Sequence, residues 1–201
     1  MQGNNRPPEL VSPDFPYPAR CLTDGEIAWC HTLFGDAIDY ARVRVHARGW
    51  LPFALQWRHT AMSPDGHIWY HPQDYRADFA REPAWRLLWF MHEMVHVWQW
   101  QLGYPVMARG AVRIGLSYRY ELAPGKRLAD FNMEAQGDLL ADWFALQTLG
   151  LPGAMRQPHY ATAAPLFEEV LAGFLADPCS CAHLPRCPAP LLNWLRRRRS
   201  A

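Results

Sequence analysis

In the stretch WFMHEMVHVWQW, residues 89–100, two histidines and a glutamate stand among bulky apolar side chains. Ionisable groups in such surroundings are costly unless a partner satisfies them, and a metal ion is one such partner. On a helix, His92 and His96 lie one turn apart and can aim both imidazoles at a point about 2.0–2.1 Å from each nitrogen, as zinc requires. Glu93, turned about 100° from His92, flanks that point without ligating and can take a proton from a water there. This HExxH spacing predicts a Zn²⁺ cofactor on His92 and His96 and hydrolysis of a peptide or protein substrate, with Glu93 as base.

A third ligand must come from elsewhere. The extended HExxHxxGxxH pattern fails, because no histidine follows at a suitable distance. NMEAQGD supplies Glu134 and, one helical turn later, Asp138. A glutamate on a second helix completes a two-histidine, one-glutamate set and leaves the fourth position open. Asp138 would accept the remaining ring N–H of a ligating histidine and fix its tautomer. Glu121 is the competing ligand, and Asp142, a further turn along, could share the role of Asp138. A donor for a developing oxyanion is expected from Tyr118 or Tyr120 in SYRYEL, with His159 behind them.

The elements that position these groups follow from periodicity. Thr23 with Glu26 three residues on reads as a capping box, opening a helix that stops at Gly35. Alternation in residues 39–48 reads as a strand, and Pro-Asp-Gly between 59–62 and 67–70 as a hairpin flanked by His67 and His71, both expected at the surface. The HExxH helix opens near Pro83 and closes at Gly103, with Leu87, Leu88, Met91, Met94, Val95, Trp98 and Leu102 on one apolar face. Trp85, Trp89, Trp98, Trp100 and Trp143 read as core, or in part as an apolar specificity pocket. Residues 104–128 read as irregular, with a strand in GLSYRYEL and a turn at APGK. A second long helix runs from Asn132, its N-cap, to Gly150, and a third over about 162–176. The fold class is therefore α+β, mainly helical, with a small β-sheet or hairpin beside the HExxH helix. Residues 1–20 form a proline-rich arm, 21–177 the domain, and 178–201 a Cys/Pro-rich and Arg-rich tail.

Composition limits the alternatives. The 201 residues are half hydrophobic with ten tryptophans and carry a net charge of +1, which argues for one folded domain and against nucleic acid as a partner. The Arg196–Arg199 run reads as a solvated tail. Five cysteines cannot all pair within the chain, and Cys179, Cys181, His183 and Cys187 lack the spacing of a zinc ribbon, so a second metal site there is the lesser reading. No stretch reads as a membrane span and the N-terminus lacks the layout of a signal peptide, so the chain is expected in the cytoplasm at synthesis, with export left to a specialised system.

HEMVH followed on a later helix by EAQGD resembles the gluzincin branch of the zincin metallopeptidases, which use HExxH plus a downstream glutamate within ExxxD. Residues 90–144 are similar, more narrowly, to the small zincin domains of Vgr-related proteins, carried on VgrG-type spikes or Rhs toxins of bacterial type VI secretion. The resemblance implies a bacterial metallopeptidase-like domain with zinc on His92, His96 and Glu134, and a spike component as a partner. Nothing in the chain resembles the spike body. The rival expectations are a non-catalytic interaction module associated with a spike and a zinc hydrolase of cell-wall peptides.

Overall fold

The computed structural model describes residues 19–51, 56–112 and 115–186. The expectations for residues 1–18, for Cys187 and for the arginine run lie outside them. Among these residues four short strands form one sheet, β1 (Ala19–Cys21), β2 (Arg44–His46), β3 (Ala61–Met62) and β4 (Ile68–Tyr70), in the order β1-β2-β4-β3. β1 and β2 are antiparallel, β2 and β4 parallel, and β3 and β4 the two arms of the predicted hairpin. Among the described residues β3 is thus an edge strand. Residues 40–42 of the predicted strand instead form a single 3-10 turn ahead of β2.

Among the described residues five α-helices complete the α+β domain: α1 (Asp24–Phe34), α2 (Ala84–Gln101), α3 (Val106–Ala111), α4 (Met133–Gln147) and α5 (Ala164–Ala176). The capping box of α1 is present: Thr23 Oγ1 accepts from Glu26 N, and the Glu26 carboxylate accepts from Thr23 N. Glu26 is fully buried and also accepts from Arg20 on β1, at 2.6 and 2.7 Å, and from Phe79 N. One carboxylate therefore joins the sheet, α1 and the turn that leads into α2.

α2 is the central element. Its residues 90–99 are all buried, between the sheet and α4. Tyr70 of β4 stacks on Phe79 and meets Trp89 edge-on, and Phe79 stacks on Phe90, an aromatic layer that seats α2 on the sheet. On the other side, α5 buries Phe167, Val170, Leu171 and Phe174 at helical spacing, and Phe174 meets Trp98 at 5.3 Å. Trp98 and Trp143 are core as expected. Trp85 and Trp100 are not; they are 53% and 38% exposed. Trp100 instead supports the hairpin: Gly66, at φ +82°, lies so close that a Cβ there would stand 2.4 Å from the indole. Only glycine fits this turn, for backbone and for space.

Two expectations for residues 104–128 change. Val106–Ala111 is helical, a six-residue element too short and too glycine-interrupted to register as a period. Residues 115–122 form no strand, although Tyr118 is exposed and Tyr120 buried. The alternation is real, but a strand also needs a paired neighbour, and none is provided. Among the described residues no helix is long and apolar enough to cross a membrane.

Candidate metal centre and cleft

α2 and α4 cross face to face, and the crossing brings His92, His96 and Glu134 together. The Nε2 atoms of the two histidines are 3.1 Å apart and each lies 3.3 Å from Glu134 Oε2. Tetrahedral ligands about 2.0–2.1 Å from a zinc ion stand roughly 3.4 Å from one another. The three atoms already have that spacing.

The outer ring nitrogens decide what these three atoms are. His92 Nδ1 lies 2.8 Å from Asp138 Oδ1 and, facing a carboxylate, carries a proton. His96 Nδ1 lies 2.9 Å from Gln99 Oε1. That amide is oriented by its own Nε2, which donates to Met133 O and Gln136 Oε1, while Gln136 Nε2 donates to Leu128 O and His183 O. With both Nδ1 atoms protonated, each neutral ring presents an Nε2 lone pair beside a carboxylate oxygen. In that form three buried acceptors converge on one point and call for a cation, a metal ion or a proton. Among the described residues this is the group able to hold one.

Electrostatics agree. Burial opposes charge on His92, yet Asp138 and Glu134 outweigh it and raise the ring to about 10. His96 is raised as well, with burial overcome chiefly by Glu134. Glu134 is pulled well below the ordinary carboxylate range, because the two imidazoles outweigh its own burial. A site that holds protons so firmly favours positive charge at its centre.

Glycine 137 permits the crossing. It lies between Glu134 and Asp138, and a Cβ there would stand 2.4 Å from His92 Cε1. Asn132 caps α4 by accepting from Glu134 N and Ala135 N, setting the register that aims Glu134 and Asp138 at α2.

The sequence-predicted residues fall into two groups. Glu93 is on the cleft wall with His92 and His96, and Tyr118 joins them, its ring 5.8 Å from that of His92. Tyr120 points into the core, where its hydroxyl donates to Asp142 Oδ2 at 2.5 Å. Asp142 also accepts from Arg156 N and Gln157 N and touches neither histidine. Glu121 is exposed, and the His159 ring packs against that of Tyr160 at a tilt of 41°. His67 and His71 are half-buried and absent from the cleft lining, His67 meeting His46 edge-on. Cys179 and Cys181 are unpaired and exposed.

Two contributors were not anticipated. Ser63, buried at the end of β3, donates to Glu93 Oε2 at 2.8 Å. Gln99 orients His96. Its position three residues after His96 on the same helix was the available signal; Ser63 is 30 residues from Glu93 in the chain and gave none.

The cleft has two lobes that share Leu51, Ala61, Met62, Glu93 and Tyr118, of about 500 Å³ on the His92 side and about 260 Å³ on the His96 side. β3 supplies Ala61 and Met62, so a strand of the sheet runs along the candidate metal centre.

The molecule is thus an α+β domain with a buried two-histidine, one-glutamate group open to a cleft. No protein-family model matches the chain. It is 41% identical over 133 residues to the type VI secretion system spike protein VgrG2b of Pseudomonas aeruginosa, covering 62% of this chain and 13% of that protein. It also superposes on the solved effector domain of P. aeruginosa VgrG2b with a TM-score of 0.59 and 38% identity, covering 71% of this chain and 82% of that domain. The chain belongs to the family of the VgrG2b effector domain.

Proposed function

We propose that this domain is a zinc-dependent metallopeptidase of the gluzincin type, acting as an effector of a type VI secretion system. The observation that carries the reading is the convergence of three atoms able to ligate a metal, His92 Nε2, His96 Nε2 and Glu134 Oε2, in one cleft with the buried carboxylate of Glu93. A structural site needs the ligands but not an additional acid in the cleft wall. His92, His96 and Glu134 would hold the zinc ion, with Asp138 and Gln99 fixing the two imidazoles. Bound zinc supplies Lewis-acid polarisation of a carbonyl and lowers the pKa of an adjoining water towards about 7.

The remaining chemistry belongs to the chain. Glu93 takes the proton of the attacking water and delivers it to the leaving nitrogen. Ser63 donates to Glu93 Oε2 and would hold the carboxylate in position for that transfer. Tyr118, whose ring lies beside that of His92, would donate to the oxyanion, while the Tyr120 hydroxyl is engaged by Asp142. An extended peptide would lie along the edge of β3 and add main-chain hydrogen bonds. Kinship with a domain of a secreted spike supports delivery by the same kind of machinery, with a spike component as a partner.

The test is turnover of a peptide library by zinc-loaded protein and by Glu93→Gln. The variant is expected to keep about one zinc per chain and to lose at least roughly 100-fold in kcat/KM, the scale of a general base. Equal turnover by the two proteins would remove Glu93 from the mechanism. Cleavage confined to cell-wall peptides would move the substrate class and keep the chemistry.

A further inference from the structure

The two lobes of the cleft differ in what each adds to the lining they share. The His96 side adds the apolar Trp50, Val106, Met107 and Met133. The His92 side adds Trp57 and Trp89 together with the polar Gln56, His59, Thr60 and Arg156. His59 already faces a carboxylate, its Nδ1 3.4 Å from Asp74 Oδ1. Arg156 does not: its side chain is exposed, and no carboxylate of the described residues lies within ion-pair distance of its guanidinium.

Its backbone, by contrast, is firmly held. Asp142 Oδ1 accepts from Arg156 N at 2.5 Å and Oδ2 from Gln157 N at 2.9 Å, while Met155 on the preceding position is buried in the core. Gln157 Nε2 donates to Tyr120 O. Asp142 is itself buried on α4, one turn beyond Asp138, so the helix register that presents Asp138 to His92 also fixes Arg156 at the cleft. This gives a purpose to the buried Asp142 and Tyr120, which the hydrolytic chemistry leaves unused.

We propose that Arg156 is a specificity-determining residue that binds a carboxylate of the substrate, so that the cleft selects peptides with a large apolar side chain on the His96 side and a carboxylate on the His92 side. The proposal rests on the metallopeptidase reading. A planar guanidinium pairs with a carboxylate through two parallel hydrogen bonds, and a partly enclosed cleft strengthens the pair relative to open water. The carboxylate can belong to an internal Asp or Glu or to a free C-terminus, and both offer the same two oxygens.

The experiment compares zinc-loaded wild type, Arg156→Ala and Arg156→Lys on peptides that carry Glu or Gln at each position around the scissile bond, each with a free and an amidated C-terminus. Wild type should favour a carboxylate at one position by roughly ten- to a hundredfold in kcat/KM, mostly through KM. Arg156→Ala should collapse that Glu-to-Gln ratio towards one, and Arg156→Lys should recover part of it. A preference that follows amidation identifies the C-terminus; one that follows the Glu position identifies a side chain. The same peptides, labelled and titrated onto zinc-loaded Glu93→Gln with and without Arg156→Ala, read binding alone. If wild type cleaves nothing while Glu93→Gln still binds the carboxylate peptides through Arg156, the catalytic reading falls and the carboxylate site stands. A Glu-to-Gln ratio near one in wild type, or unchanged by Arg156→Ala in a variant of unaltered melting temperature, overturns the proposal.

Discussion

Because Asp138 and Gln99 each engage an Nδ1 proton, the lone pairs that face the centre have two ways to be satisfied, a metal ion or a proton. Without metal, His92 is held at about 10, as Asp138 and Glu134 overcome burial, so at pH 7 its Nε2 is protonated. Metal can bind only to the neutral ring, which makes loading a proton-releasing reaction. Calorimetric titration of zinc into the apoprotein at pH 7, in buffers of different ionisation enthalpy, should therefore report at least one proton released per metal from this ring. The apparent affinity should weaken by about tenfold for each pH unit lowered, for each proton displaced. Zinc uptake without proton release at pH 7 would mean that the His92 ring is already neutral in the apoprotein.

Helix pairing sets how well those atoms are placed, and α2 and α4 pack closely because position 137 has no side chain. In an exposed helix interior, alanine would be favoured over glycine by roughly 0.8–1 kcal/mol. Here a Cβ would come within 2.4 Å of the His92 ring, so Gly137→Ala should reverse that sign, costing about 1–3 kcal/mol through overpacking and weakening zinc binding roughly 10- to 100-fold. Urea unfolding and a zinc competition titration measure the two effects; a variant both more stable and unchanged in zinc affinity would show that the ring does not need this contact. The same crossing marks what the sequence carried. His92, His96, Glu134 and Asp138 were legible because each pair shares a helix at one-turn spacing, and helices α1, α2 and α4 because caps and stops flank them. Ser63, Arg156 and the division between Tyr118 and Tyr120 were not, since each depends on which distant element folds beside it. A short helix such as α3 leaves too little periodicity to find, and the alternation of residues 115–122 could not reveal that no strand would pair with them.

At the scale of the whole molecule, the proposed metal ion joins the two helices around which the rest is packed. The sheet is seated on α2 through Tyr70, Phe79 and Phe90, and α5 is seated on it through Trp98. A ligand held by both α2 and α4 therefore stabilises the folded domain against global unfolding, because the unfolded chain does not bring His92, His96 and Glu134 together. With free zinc at about 100 times its dissociation constant, that linkage contributes about 2.7 kcal/mol. In a domain of this size each kcal/mol moves the midpoint by about 2–4 °C, so chelation should lower the melting temperature by roughly 5–10 °C and added zinc should restore it. The His96→Ala variant should melt at one temperature with or without zinc at that concentration, since it has lost one of three ligands. Calorimetry on wild type that finds the same midpoint with chelator and with zinc would mean that α2 and α4 are held together by their packing and buried hydrogen bonds alone, and that the three converging acceptors do not bind the metal.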